Sequence, residues 1–231
     1  MEVPVKPMTM VALSALAALS ATAAQGAVLV SSDFNDGVQG WRVADAVSGF
    51  IYAASTTDGR LQTGDVAPYT FFEAPTAYLG NKSAAIGGTL SFDMAAVYGA
   101  DPLGFSPLVL RTTRGDIFAK PTFLPGVGSN RFSITLTASN FYRNSQYVPG
   151  GPAPAAISDA EFAAVMADLR GLYIYADWKS GQSDLTTMDN VALASADVAP
   201  VPEPGAWALM ILGFGGIGAA LRRRPAGFAR V

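Results

Sequence analysis

Leu90-Ser91-Phe92-Asp93-Met94 decides the fold class. Apolar and polar side chains alternate here with a period of two, so an extended strand carries one set on each face. Phe132-Ser133-Ile134-Thr135-Leu136 repeats the pattern. Leu108-Val109-Leu110, Leu172-Tyr173-Ile174-Tyr175 and Val191-Ala192-Leu193 are compact runs of the kind found in strands covered on both faces. Asp36-Gly37, Asp58-Gly59, Gly87-Gly88 and Arg114-Gly115-Asp116 separate the runs as turns. Many short strands without repeated helical crossovers predict an all-β fold, an antiparallel sandwich of jelly-roll type.

One short helix interrupts the strands. Ser158 and Glu161 form an S-x-x-E capping box, in which each side chain satisfies a backbone N–H of the first turn. Phe162, Val165, Met166 and Leu169 follow at i, i+3, i+4 and i+7, a single apolar face suited to cover one end of the sandwich. Gly171 is placed to end the helix in the left-handed conformation.

Composition removes whole classes of chemistry. The 231 residues include no His and no Cys. There is thus no Ser-His-Asp triad, thiol nucleophile, disulfide or His/Cys metal site. The formal net charge is −3, and residues 28–198 hold 10 Lys+Arg against 16 Asp+Glu. An acidic domain without a basic stripe predicts no nucleic-acid partner.

The two ends read as targeting segments. Lys6, the apolar stretch from Met8 to Leu19 and the small residues of Ala21-Thr22-Ala23 make residues 1–27 a signal peptide, with signal peptidase as the implied processing enzyme. Residues 199–231 hold Pro202-Glu203-Pro204, then Trp207-Ala208, then an uncharged stretch to Leu221, then Arg222-Arg223-Arg224. The 16 residues from Ala206 to Leu221 sit at the short edge of what spans a bilayer as a helix. Trp207 suits one interface, and the arginines suit the cytoplasmic side. Gly213-Phe214-Gly215-Gly216-Ile217-Gly218 matches a dinucleotide fingerprint in letters only, since no strand precedes it within a βαβ unit.

This tail resembles the PEP-CTERM sorting signal of Gram-negative bacteria in its P-E-P-x-x-W-A form. The resemblance implies cleavage near Pro202-Glu203-Pro204 by an exosortase-type enzyme. It further implies an inner-membrane precursor, export to the cell surface or extracellular matrix, and an exopolysaccharide-producing cell. Residues 28–198 resemble the laminin B domain (domain IV), a galactose-binding-like jelly roll. The resemblance rests on three blocks. Asp33-Phe34 and Gly40-Trp41 form the first, and Phe71 to Pro75, Tyr78 to Lys82 and Leu90 to Asp93 form the second. The third runs from Ser158 through Leu169 to Met188-Asp189-Asn190-Val191.

Two site types suit the residues that remain. Asp33, Asn35 and Asp189 are the candidate ligands of a structural Ca²⁺, a hard cation that takes oxygen donors; no other cofactor is required. Trp178, Tyr142 and Tyr147 are the candidate glycan contacts, because an aromatic face matches the C–H face of a sugar. A glycoside hydrolase would need two carboxylates at a set separation. Glu73 and Glu161 are the only glutamates of the domain, and Glu161 has its capping role. The expected function is therefore non-catalytic: a surface or matrix protein associated with polysaccharide, with a lectin-like module as the alternative.

Overall fold

The computed structural model describes residues 26–45, 48–101, 106–120, 124–144, 153–197 and 210–214. The chain divides into two units, Gln25–Val198 and the two ends, Met1–Ala24 with Ala199–Val231. Of the second unit, only residues 210–214 are described, and they are helical. The expected signal peptide and membrane span thus fall almost wholly outside the described residues. Among those residues no helix is long and apolar enough to cross a membrane.

The first unit is a sandwich of two antiparallel sheets, with strands numbered in chain order. One sheet has six strands: β1 (Val28–Ser32), β4 (Ser55–Thr57), β5 (Arg60–Gly64), β7 (Thr89–Ala96), β10 (Asn130–Thr135) and β14 (Leu185–Ala194). The other has eight: β2 (Arg42–Asp45), β3 (Ile51–Tyr52), β6 (Thr70–Glu73), β8 (Leu108–Thr112), β9 (Gly115–Ala119), β11 (Phe141–Arg143), β12 (Ala155–Ala156) and β13 (Gly171–Tyr175). The order of the second is β12-β11-β9-β8-β13-β6-β2-β3.

The alternation in β7 does what its spacing predicts. Leu90, Phe92, Met94 and Ala96 are completely buried, while Ser91, Asp93 and Ala95 are half-buried on the other face. Across the core, β8, β13 and β6 contribute Leu108, Leu110, Leu172, Ile174 and Phe72. The two sheets hide these inner faces from water, which is the main favourable term in folding.

β14 is the longest strand and needs an irregularity to stay in phase with this core. Thr186 and Met188 point inward, and then the register against β7 shifts between Asp189 and Ala192. After the shift the inward residues are Val191 and Leu193. Asn190 takes up the extra residue at φ +50, a left-handed conformation that Asn tolerates better than most side chains. Its side-chain amide donates to Asp93 Oδ2 at 2.7 Å, tying the bulge to β7. On its other side β14 pairs with β5 before the bulge and with β1 after it.

A buried polar knot joins the end of β1 to β14. Trp41 Nε1 donates to Ser32 Oγ at 3.0 Å, and the Tyr78 hydroxyl contacts Ser32 Oγ and donates to the Val191 carbonyl, both at 3.2 Å. Trp41 and Tyr78 meet edge to face with ring centroids 5.2 Å apart. Burial pushes the Tyr78 hydroxyl up to about 12, so it remains a donor at any physiological pH.

Helix α1 (Asp159–Ala167) carries the expected capping box, and Phe162, Val165, Met166 and Leu169 are all buried. Its end differs from the sequence expectation. The C-cap is Asp168, and Leu169 leaves the helix to pair with Gly80, N–H to O at 3.0 and 2.7 Å in the two directions. Gly171 is instead the first residue of β13, opposite Arg111. A backbone pairing partner for Leu169 ends the helix before Gly171 is reached.

Replacing Asn190 with Val should cost about 1–2 kcal/mol, through left-handed backbone strain on a β-branched residue. Asn190→Gly, which keeps the backbone geometry, should lose less. Urea unfolding of the two variants beside the wild type checks this, and equal losses would mean that the bulge conformation carries no cost.

Candidate functional site

The face of the eight-stranded sheet turned away from the core carries a polar strip framed by aromatic rings. Directly opposed residues share a face, and Arg42, Glu73 and Tyr173 are opposed across β2, β6 and β13. Tyr173 is opposite Val109 on β8, Val109 opposite Phe118 on β9, and Phe118 opposite Tyr142 on β11. One row thus crosses six strands. Two residues along β8, Arg111 is opposite Asp116 on β9 and Gly171 on β13.

Ion pairs link the row. Arg42 Nη2 lies 3.0 Å from Glu73 Oε2. Arg111 holds Asp116 with two parallel bonds, Nε to Oδ1 at 3.0 Å and Nη2 to Oδ2 at 2.9 Å. Arg111 Nη1 donates to the Tyr173 hydroxyl at 3.2 Å, and that hydroxyl reaches Glu73 Oε1 at a weak 3.5 Å. The Arg111 guanidinium also stands 4.8 Å from the Tyr173 ring centroid. The Asp116 carboxylate raises the affinity of Arg111 for its proton, and burial raises that of Tyr173. Side-chain exposure falls from 55% for Arg42 to 34% for Arg111, 26% for Asp116 and 11% for Glu73, so guanidinium groups dominate what solvent meets.

Gly171 makes the strip possible. A Cβ there would lie 2.5 Å from the Tyr173 ring, so only glycine lets that ring lean back along its own strand beside Arg111.

The sequence-derived candidates fare unevenly. Trp178 is 1% exposed, donates from Nε1 to the Tyr175 carbonyl at 3.0 Å, and packs edge to face on Tyr175 at 5.0 Å. It belongs to the core and presents no ring face to a sugar. Tyr142 is also buried, at 4% exposure, with its ring against Phe118 at 6.3 Å. Each ring removes apolar area from water by packing on a neighbouring ring, Trp178 on Tyr175 and Tyr142 on Phe118. Tyr147 lies outside the described residues, as do Pro202, Glu203, Pro204, Trp207, Ala208, Arg222, Arg223 and Arg224.

The Asp33, Asn35 and Asp189 set is separately engaged. Asp33 accepts from Gln39 Nε2 at 2.7 Å and from Asn35 Nδ2 at 3.1 Å, and these bonds hold its carboxyl below the usual carboxylate range. Asp189 Oδ1 accepts from the Asn190 N–H at 2.7 Å within the bulge. Among the described residues, no three or more Asp, Glu, His or Cys side chains gather closely enough to hold a metal ion. Glu161 has its capping role and an ion pair to Arg143 at 2.7 Å.

The model of the Laminin B (Domain IV) family matches residues 71–208, more than half of the sequence. The chain belongs to this family. The matched span begins at β6, so it takes in the second and third sequence blocks and leaves out Asp33-Phe34 and Gly40-Trp41. A PEP-CTERM protein-sorting motif matches residues 200–224. No curated protein matches this laminin B chain in sequence. Among solved structures it is similar to the L4b domain of human laminin alpha-2, with 12% identity and a TM-score of 0.60; the match covers 74% of this chain and 99% of that one. That likeness shows a shared sandwich fold. The family 11 carbohydrate-binding module of a Clostridium thermocellum cellulosomal cellulase aligns at 20% identity with a TM-score of 0.41, covering 76% of this chain and 97% of that one.

Gly171→Ala should destabilise the domain by about 1–3 kcal/mol by forcing the Tyr173 ring off Arg111. In a Tyr173→Ala background the same change should cost much less, a coupling that a double-mutant cycle reads directly. Additive losses would place the strain elsewhere.

Proposed function

We propose that this laminin B chain is an exported, non-catalytic surface or matrix protein that its PEP-CTERM tail delivers and that engages polysaccharide. The sorting motif at residues 200–224 carries this reading. A precursor entering the export route through residues 1–27 is held at the inner membrane by the apolar stretch before Arg222. An exosortase-type enzyme then cuts near Pro202-Glu203-Pro204.

The strip on the eight-stranded sheet is the surface offered to a glycan. Guanidinium and carboxylate groups in one plane exchange hydrogen bonds with hydroxyls, and a bidentate arginine fixes their direction. Catalysis fits these groups poorly. Glu73 and Asp116 are each engaged by an arginine in the sheet's own ion pairs.

Fractionation of a host cell carrying a tagged chain tests the sorting route. The wild-type product should lose its tail and reach the surface or matrix fraction. With Pro202, Glu203 and Pro204 changed to Ala, it should stay with the inner membrane, its arginine triplet intact. A wild-type product in the cytosol with an intact tail would overturn the reading. Electrophoresis through gels containing the host's exopolysaccharide tests binding: the wild type should be retarded and the Arg42→Ala, Arg111→Ala double variant about tenfold less so. That loss corresponds to about 1.4 kcal/mol. Equal mobility of the wild type with and without polysaccharide would remove the glycan from the proposal.

A further inference from the structure

The polar strip of the eight-stranded sheet is closed in charge. Arg111 gives the two parallel N–H groups of its fork to Asp116, Nε to Oδ1 at 3.0 Å and Nη2 to Oδ2 at 2.9 Å, and Nη1 to the Tyr173 hydroxyl at 3.2 Å. Arg42 Nη2 lies 3.0 Å from Glu73 Oε2. Two guanidinium groups thus meet two carboxylates. The cations of adjoining segments are engaged in the same way, Arg143 by Glu161 and Arg170 by Asp168, each at 2.7 Å. Residues 28–198 hold 10 Lys+Arg against 16 Asp+Glu. Six ion pairs among the described residues leave four of those cations and ten of those acids outside them.

We propose that the glycan taken by this strip is a neutral polysaccharide, and that Asp116 and Glu73 are the residues that exclude acidic ones. The inference rests on the reading of the strip as a glycan surface. A uronic acid is recognised best by a guanidinium fork that offers two parallel N–H groups to its carboxylate. At Arg111 that fork already holds Asp116. An incoming carboxylate would have to lie beside a like charge there, and again at Glu73, an arrangement that opposes binding. The surplus of acids over the rest of the domain adds a longer-range repulsion of polyanions. A neutral sugar meets neither obstacle. Its hydroxyls both donate and accept, so they pair with carboxylate oxygens as readily as with guanidinium N–H groups. The two carboxylates therefore act as a repulsive element against one class of glycan and as acceptors for the other.

The test is retention of the full chain, in mild non-ionic detergent, on beads carrying a polysaccharide. Arg222, Arg223 and Arg224 are changed to Ala throughout, so that the charge of the tail does not contribute. The beads carry mixed-linkage glucan, galactomannan or dextran as neutral probes, polygalacturonate or alginate as acidic ones, or the host's own exopolysaccharide. At least one neutral probe should retain the chain, and neither acidic probe should. Raising NaCl from about 20 mM to about 500 mM should change that retention less than about twofold, because no net charge is neutralised on binding. Asp116→Asn releases the Arg111 fork at a part-exposed position. That variant should gain retention on an acidic probe and lose the gain again at about 500 mM NaCl. Retention of the parent chain on either acidic probe overturns the proposal, as does retention on any bead that salt abolishes. A folded Asp116→Asn variant that gains nothing overturns it too. Should that variant not fold, the acidic beads and the salt series on the parent chain decide. Retention on no bead at all, the host's polysaccharide included, instead removes the glycan surface itself, a failure distinct from a wrong ligand charge.

Discussion

The sandwich depends on one strand keeping its inward phase over ten residues. β14 pairs with β7 along one side and with β5 and then β1 along the other, so its twist and register reach half of the six-stranded sheet. A strictly regular strand would send every second side chain of Leu185–Ala194 to the core. Thr186, Met188, Val191 and Leu193 do not share one parity, and the bulge at Asp189 and Asn190 reconciles them. It also divides the strand's second edge, giving β5 one half and β1 the other. The Trp41–Ser32–Tyr78 knot closes on Val191 just beyond it.

The polar groups of the domain fall into three settings with different consequences. The knot around Ser32 is hydrogen-bonded and buried, and it specifies how β1 meets β14. The strip from Arg42 to Asp116 is linked internally by ion pairs, part-exposed at its two arginines and Asp116 and buried at Glu73 and Tyr173. The end of the sandwich around Asp184 is buried and unsatisfied.

Division of labour runs along the chain as well. Residues 200–224 match a sorting motif, which is a linear pattern. The sandwich carries the surface chemistry, which exists only after distant strands pair. Arg42, Glu73, Tyr173 and Arg111 come from four strands spread over more than a hundred residues, and nothing in their local sequence marks them as neighbours. Gly171 sits where a helix C-cap would suit it, and its real use is visible only through the ring of Tyr173 lying over it. Trp178 and Tyr142 show the opposite difficulty, since a ring in a polar segment reads the same whether it is exposed or buried.

The amino-acid sequence by itself determined the strands, the capped helix, the family and the sorting tail, because period-two alternation, the S-x-x-E box and the Pro-Glu-Pro tail are local patterns with local physical causes. Burial of the aromatic rings, the bulge that keeps β14 in phase and the arginine strip were decided by tertiary structure alone. Each depends on which side chains strand pairing brings together and how much water it leaves between them, and a linear sequence contains neither quantity.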